Sequence, residues 1–220
     1  MVSAAVIDYG LGNVNSVRNM LKKVGVSAVV TRDPGQLADA GTLILPGVGS
    51  FGAGMEMLEA SGLIPVLHEA VERGQRLVGI CLGMQLLGTS SQESDRPGLG
   101  LIPAHFCRFD FSVLPRALPV PHMGWNEVQL ASPEGWLNAL PQPSRFYFVH
   151  SFHATDVPAE HVLLTAEYGL RFPAAYSKGQ VMGFQFHPEK SHRFGMALFR
   201  ALFAESLESG QPPAESSGAA

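Results

Sequence analysis

Apolar and polar positions along this chain switch repeatedly between strand and helix periods, and the switching predicts a layered α/β fold. Ala4-Ala5-Val6-Ile7 is an apolar run of strand length, after which Val14, Val17, Leu21 and Val24 fall on one helical stripe that Gly25 stops. Ala28-Val29-Val30 and Leu43-Ile44-Leu45 read as the next strands, with Asp33-Pro34 opening a short capped helix between them. Leu63, Val66, Leu67, Ala70 and Val71 make another stripe, ended by Gly74. Leu77-Val78-Gly79-Ile80 then reads as a buried strand, and Met84-Gln85-Leu86-Leu87 opens a helical pattern. This order predicts a doubly wound, mostly parallel open sheet, whose ligands bind beyond the carboxyl ends of its strands.

The second half is richer in strands, at 106–109, 126–130, 146–149, 162–166 and 181–186, which predicts a mixed or antiparallel extension of the sheet. Phe194, Ala197, Leu198, Ala201 and Leu202 make a closing amphipathic helix. From about Glu205 the chain turns to Ser, Gly, Pro and Ala, too poor in apolar residues to pack. The expected organisation is one domain over 1–204 and a disordered tail over 205–220.

Composition acts mainly by exclusion. At 220 residues and 46% hydrophobic, the chain can bury one sizeable core. A net charge of -4 gives no electrostatic reason to expect nucleic acid or an anionic membrane as partner. No run approaches the ~18 apolar residues of a membrane span, and the early Asp8 argues against a signal peptide. Only two cysteines occur, Cys81 and Cys107, which fits a reducing, cytoplasmic compartment. Gly10-x-Gly12 starts like a dinucleotide fingerprint, but Asn15 stands where the third glycine belongs. His150, His153, His187 and His192 lack metal-site spacing and read as solvated or site-lining. Neither a metal nor a cofactor is expected.

The chemistry concentrates at Gly79-Ile80-Cys81-Leu82-Gly83, between a strand and a helix. A nucleophile on such a turn takes a strained backbone and needs neighbouring segments close by, which flanking glycines allow; G-x-C-x-G is the thiol counterpart of G-x-S-x-G. A helix N-terminus also favours the thiolate. Taken alone, Cys81 still favours an inert buried thiol. His187-Pro188-Glu189 shifts the balance. Pro188 disfavours helix at His187, and residues two apart on an extended segment share a side, so Glu189 can hold the imidazole while its other nitrogen faces the thiol.

Six segments carry a resemblance: Ile7-Asp8-Tyr9-Gly10-Leu11-Gly12-Asn13, Leu45-Pro46-Gly47-Val48-Gly49-Ser50-Phe51, Gly79 through Leu87, Pro121-His122-Met123-Gly124-Trp125-Asn126, Tyr147 through Ser151, and Gly183 through Ser191. Together they resemble the class I glutamine amidotransferases, and among them the glutaminase subunits of imidazole glycerol phosphate synthase. The resemblance implies a Cys81-His187-Glu189 triad that hydrolyses L-glutamine to glutamate and ammonia. It implies an oxyanion hole from Leu82 and from Gly47, Val48 and Gly49, and substrate contacts from Gln85 and Ser151. It further implies a heterodimer with a (β/α)8-barrel cyclase, to which ammonia passes for histidine biosynthesis, with Asn13, Trp125 and Lys190 at the interface. Phe152-His153 and Ala104 depart from the family pattern and touch loop details, not the triad. Two other readings stay open here: a glutaminase serving a different acceptor enzyme, and a silent binding module on the same fold.

Overall fold

The computed structural model describes residues 3–112, 117–131, 135–204 and 207. The tail expected over 205–220 lies, apart from Leu207, outside the described residues.

The first half runs β1 (Ala4–Ile7), α1 (Val14–Lys23), β2 (Ala28–Thr31), α2 (Pro34–Ala38), β3 (Thr42–Gly47), α3 (Phe51–Ala60), α4 (Leu63–Glu72), β4 (Arg76–Cys81) and α5 (Leu82–Leu86). Local chemistry sets several of these boundaries. Asn13 accepts from the Ser16 N–H to cap α1, and Asp33 accepts from the Gln36 N–H to cap α2, with Pro34 in its first turn. The second half adds β5 (Ser90–Ser91), β6 (His105–Arg108), β7 (His122–Leu130), β8 (Ser144–His150), β9 (Phe152–Thr155), β10 (Val162–Glu167), β11 (Arg171–Lys178), β12 (Val181–Phe184) and α6 (His192–Leu202).

Nine strands form one sheet in the order β2-β1-β3-β4-β12-β11-β10-β7-β8. The ladders from β2 to β12 are parallel, and those from β12 outward to β8 are antiparallel. The expected parallel sheet with an antiparallel extension is therefore what the chain forms. One strand differs from expectation: β6 does not join this sheet but pairs with β5 and β9 in a separate three-stranded one.

Residues of the central strands alternate between two apolar cores, one on each face of the sheet. Ala4, Val6, Ile44, Val78 and Ile80 pack with α1 and α6, whereas Ala5, Ile7, Leu43, Leu45 and Leu77 pack with α3, α4 and α5. Burial on both faces explains why these strands read as continuous apolar runs. It also leaves their carboxyl ends, at Gly47 and Cys81, as the places where polar chemistry can surface. Among the described residues no helix is long and apolar enough to cross a membrane.

Candidate active site

Cys81 is both the last residue of β4 and the N-cap of α5, with φ 54° and ψ -110°. A non-glycine residue there is strained by about 1–3 kcal/mol, and only a packed surrounding keeps it so. Its framing glycines are required by contact. A Cβ on Gly79 would stand 2.6 Å from the Gly83 carbonyl, and one on Gly83 would stand 1.8 Å from the Leu45 oxygen. The helix thus begins at Leu82, immediately after the cysteine and ahead of the expected Met84.

His187 follows β12, the parallel neighbour of β4, so both side chains leave the same end of the sheet. Its backbone is extended (φ -102°, ψ 95°), as Pro188 predicts. Glu189 gets there differently than expected: it sits in a short 3-10 turn over Pro188–Lys190, not on an extended segment. The turn still brings the His187 Nδ1–H to Glu189 Oε1 at 2.7 Å, with both side chains 2% exposed. Ser191, to which the sequence pattern assigns no role, pins this turn. Its hydroxyl donates to the His187 carbonyl at 2.6 Å and accepts from the Tyr147 N–H at 3.0 Å.

Burial opposes a charged His187, but the neighbouring Cys81 and Glu189 outweigh it and push its pKa up to about 9. Nε2 itself is buried without a hydrogen-bond partner among the described residues, and Cys81 is the group that acts on it from the cavity side. An imidazole oriented at Nδ1 and open at Nε2 toward a thiol can take and return a proton.

A cavity of about 280 Å³ opens over this pair. Val48, Gly49, Cys81, Leu82, Gln85, Ser151, His187 and Lys190 all line it. Gly47 lies beneath, paired with Cys81 in the β3–β4 register, and Gly49 has φ 104° with open space on its Cβ side. Glu93 also lines the cavity, and its Oε2 accepts from the Phe51 N–H at the start of α3. Sequence reasoning missed Glu93, whose polar surroundings gave no sign of a charge folded over an active site.

The family profile described as Glutamine amidotransferase class-I matches residues 5–205. The chain belongs to the class I glutamine amidotransferases. Among its relatives, the imidazole glycerol phosphate synthase subunit HisH 2 of Methanococcus maripaludis is 47% identical over 203 residues, which is 92% of this chain and 99% of the relative. The HisH 2 subunit of Pseudomonas aeruginosa is 47% identical over 196 residues, 89% of this chain and 96% of that one. Solved structures share the fold at lower identity. A glutamine amidotransferase crystal structure superimposes with TM-score 0.70 at 21% identity, covering 92% of this chain and 97% of its own. PurLQS from Thermotoga maritima gives 0.69 at 20% identity, covering 92% and 98%.

In this amidotransferase the remaining expected residues lie at varying distances from the cavity. Lys190 lines the cavity itself, with Nζ 5.9 Å from the centre of the Tyr147 ring. Trp125 lies outside it, 41% exposed, stacked on His192 at 5.8 Å and edge-on to Tyr147 at 6.3 Å. Asn13 is occupied as the α1 cap.

His150 and His153 are buried against Phe109, and of the two expected placements, solvated or site-lining, His150 takes the second, since it also lines the cavity. The Phe152 carbonyl can only accept, so His150 donates from Nδ1 at 2.7 Å. Its Nε2 then accepts from His122 Nδ1 at 3.0 Å, and His122 Nε2 accepts from Asn126 Nδ2 at 3.3 Å. Burial holds both rings neutral, lowering His122 to about 4 and His150 to about 3.

Proposed function

We propose that this chain hydrolyses L-glutamine to glutamate and ammonia through a γ-glutamyl thioester on Cys81. His187 takes the thiol proton at Nε2 while Glu189 holds Nδ1, and the sulfur attacks the side-chain amide carbon. The tetrahedral oxyanion is met by the N–H of Leu82, in the first turn of α5, and by the Gly47-Val48-Gly49 segment. As the C–N bond breaks, His187 returns the proton to the departing ammonia. It then deprotonates a water that cleaves the thioester to glutamate. Gln85 and Ser151 contact the substrate, and the Glu93 carboxylate complements its α-ammonium group.

The reading is carried by one observation: a glycine-framed Cys81 faces an imidazole whose far nitrogen is held at 2.7 Å by a buried carboxylate. The identity to HisH subunits supports the rest. Residues 1–204 act as one amidotransferase domain in the cytoplasm, as the glutaminase half of a heterodimer. Its partner is a (β/α)8-barrel cyclase that uses the ammonia to make imidazole glycerol phosphate in histidine biosynthesis. Asn13, Trp125 and Lys190 meet that partner.

The test is Cys81→Ala in the assembled enzyme. Glutamine-dependent synthesis is expected to vanish while synthesis from added ammonium persists. Glutamine hydrolysis surviving in a clean preparation would sink the assignment. Because ammonia made without an acceptor is wasted, glutaminase turnover is expected to rise when the cyclase and its nucleotide ligand are present.

A further inference from the structure

Gln185 lies two residues before His187 and is wholly buried, yet no step of the proposed hydrolysis uses it. An amide buried there costs desolvation unless both its ends are engaged, and a fold needing only bulk would carry methionine or leucine. Both ends are engaged. Oε1 accepts from Gln85 Nε2 at 3.2 Å, and Nε2 faces Cys81 Sγ at 4.0 Å. Gln185 does not line the cavity, so it reaches the sulfur from the protein interior and leaves the open side to substrate.

The direction of this amide matters. A thiolate can only accept, so whatever faces it must donate. Gln85, by donating to the carbonyl end of Gln185, turns its NH2 end toward the sulfur. The protonated thiol has a different partner, because Sγ also lies 4.0 Å from the Val149 carbonyl, which can only accept. Ionisation therefore ends the donation to the Val149 oxygen and leaves the Gln185 N–H facing the charged sulfur.

We propose that Gln185 is a further catalytic residue, a neutral donor to the Cys81 thiolate whose orientation is set by Gln85. The inference rests on the reading of Cys81 as nucleophile. It also gives Gln85 a second role. Gln85 lines the substrate cavity while it holds Gln185, so a ligand N–H donated to Gln85 Oε1 polarises the relay toward the sulfur.

Gln185→Met keeps the volume and removes the donor. In the purified chain, the iodoacetamide alkylation rate of Cys81, read on its own peptide by mass spectrometry, is expected to fall about tenfold at neutral pH. The curve of rate against pH moves to higher pH and reaches the same plateau. In the assembled enzyme, kcat for glutamine falls about tenfold with KM changed less than twofold. A folded variant whose alkylation curve overlays the wild type overturns the proposal. If the single variant does not fold, the pair Gln85→Met with Gln185→Met removes both polar partners together. Its alkylation curve is expected to move to higher pH in the same way, and overlay with the wild type again overturns the proposal. Retained glutaminase activity in Cys81→Ala would instead remove the underlying reading, so the two failures are separable.

Discussion

The backbone of Gly83 presses against the carbonyl of Leu45, leaving only 1.8 Å for any Cβ. Helix α5 is thereby seated directly on β3, and Cys81 is fixed above them both. Gly83→Ala must push these segments apart, at a cost of at least ~2 kcal/mol. Thermal unfolding should show the loss, and glutaminase activity should fall further than stability alone explains. An alanine variant with wild-type melting and turnover would show that the elbow tolerates separation.

Glu189→Gln keeps a side chain of the same size beside His187 but removes the charge that supports the imidazolium. We expect kcat to fall by about 10³-fold or more, with KM for glutamine little changed. Steady-state kinetics on the assembled enzyme decides this. A loss under tenfold would mean that Glu189 only fills space.

Stability should decline on the alkaline side. Folded His187 holds its proton to about pH 9, whereas the same side chain has an ordinary value of 6.5. The contribution is fully present below about pH 6.5 and is lost as pH rises through 9, to a limit of roughly 3 kcal/mol. Denaturant titrations at pH 6.5 and 9.5 measure it. The difference should shrink in Cys81→Ala, which removes one of the groups that raise the value.

The opposite sign holds for the buried pair His122 and His150. Burial lowers both, to about 4 and about 3, so the unfolded chain binds protons first as the solution is acidified. Their contribution is complete above about pH 6.5 and is lost as pH falls toward 4 and 3. His150→Phe should flatten this acid limb even if it costs stability at neutral pH. A limb of unchanged slope would exclude His150 from it.

Tyr9 is 2% exposed and its hydroxyl has no hydrogen-bond partner among the described residues. Burial, and after it the charge of Cys81, push its phenol up. Tyr9→Phe removes an unpaired polar atom, so stability should hold or rise by about 1 kcal/mol. A clear drop in melting temperature would reveal a partner for this hydroxyl.

Much of this architecture was legible because its strands are buried on both faces and its helices carry clean stripes. What escaped notice did so for local reasons. Helix α3, Phe-Gly-Ala-Gly-Met-Glu-Met-Leu-Glu-Ala, holds two glycines and little separation of polar from apolar positions. Strand β11 contains Pro173, an unusual residue inside a sheet. Beside it the β10–β11 register shifts, with Leu164 opposite Ala175 but Thr165 opposite Pro173, so that Ala174 of β11 is the extra residue. At the site, Cys81, His187 and Glu189 were readable from spacing, whereas Glu93 and Gln185 were not. Their roles depend on contacts across the fold: Glu93 with Phe51, 42 residues away, and Gln185 with Gln85 and Cys81, 100 and 104 residues away.

The parallel pairing of β4 with β12 places Gly79 opposite Gly183 and Ile80 opposite Phe184. The gap between sulfur and imidazole is therefore metered from the hydrogen-bonded ladder at the centre of the sheet, with the His187 N–H also donating to the Tyr147 carbonyl at 2.9 Å. Insertions in the peripheral connections can reshape what the enzyme docks against without retuning this ruler. A slip of a single residue between the two strands would turn every side chain of β12 to the opposite face and carry His187 out of reach of Cys81.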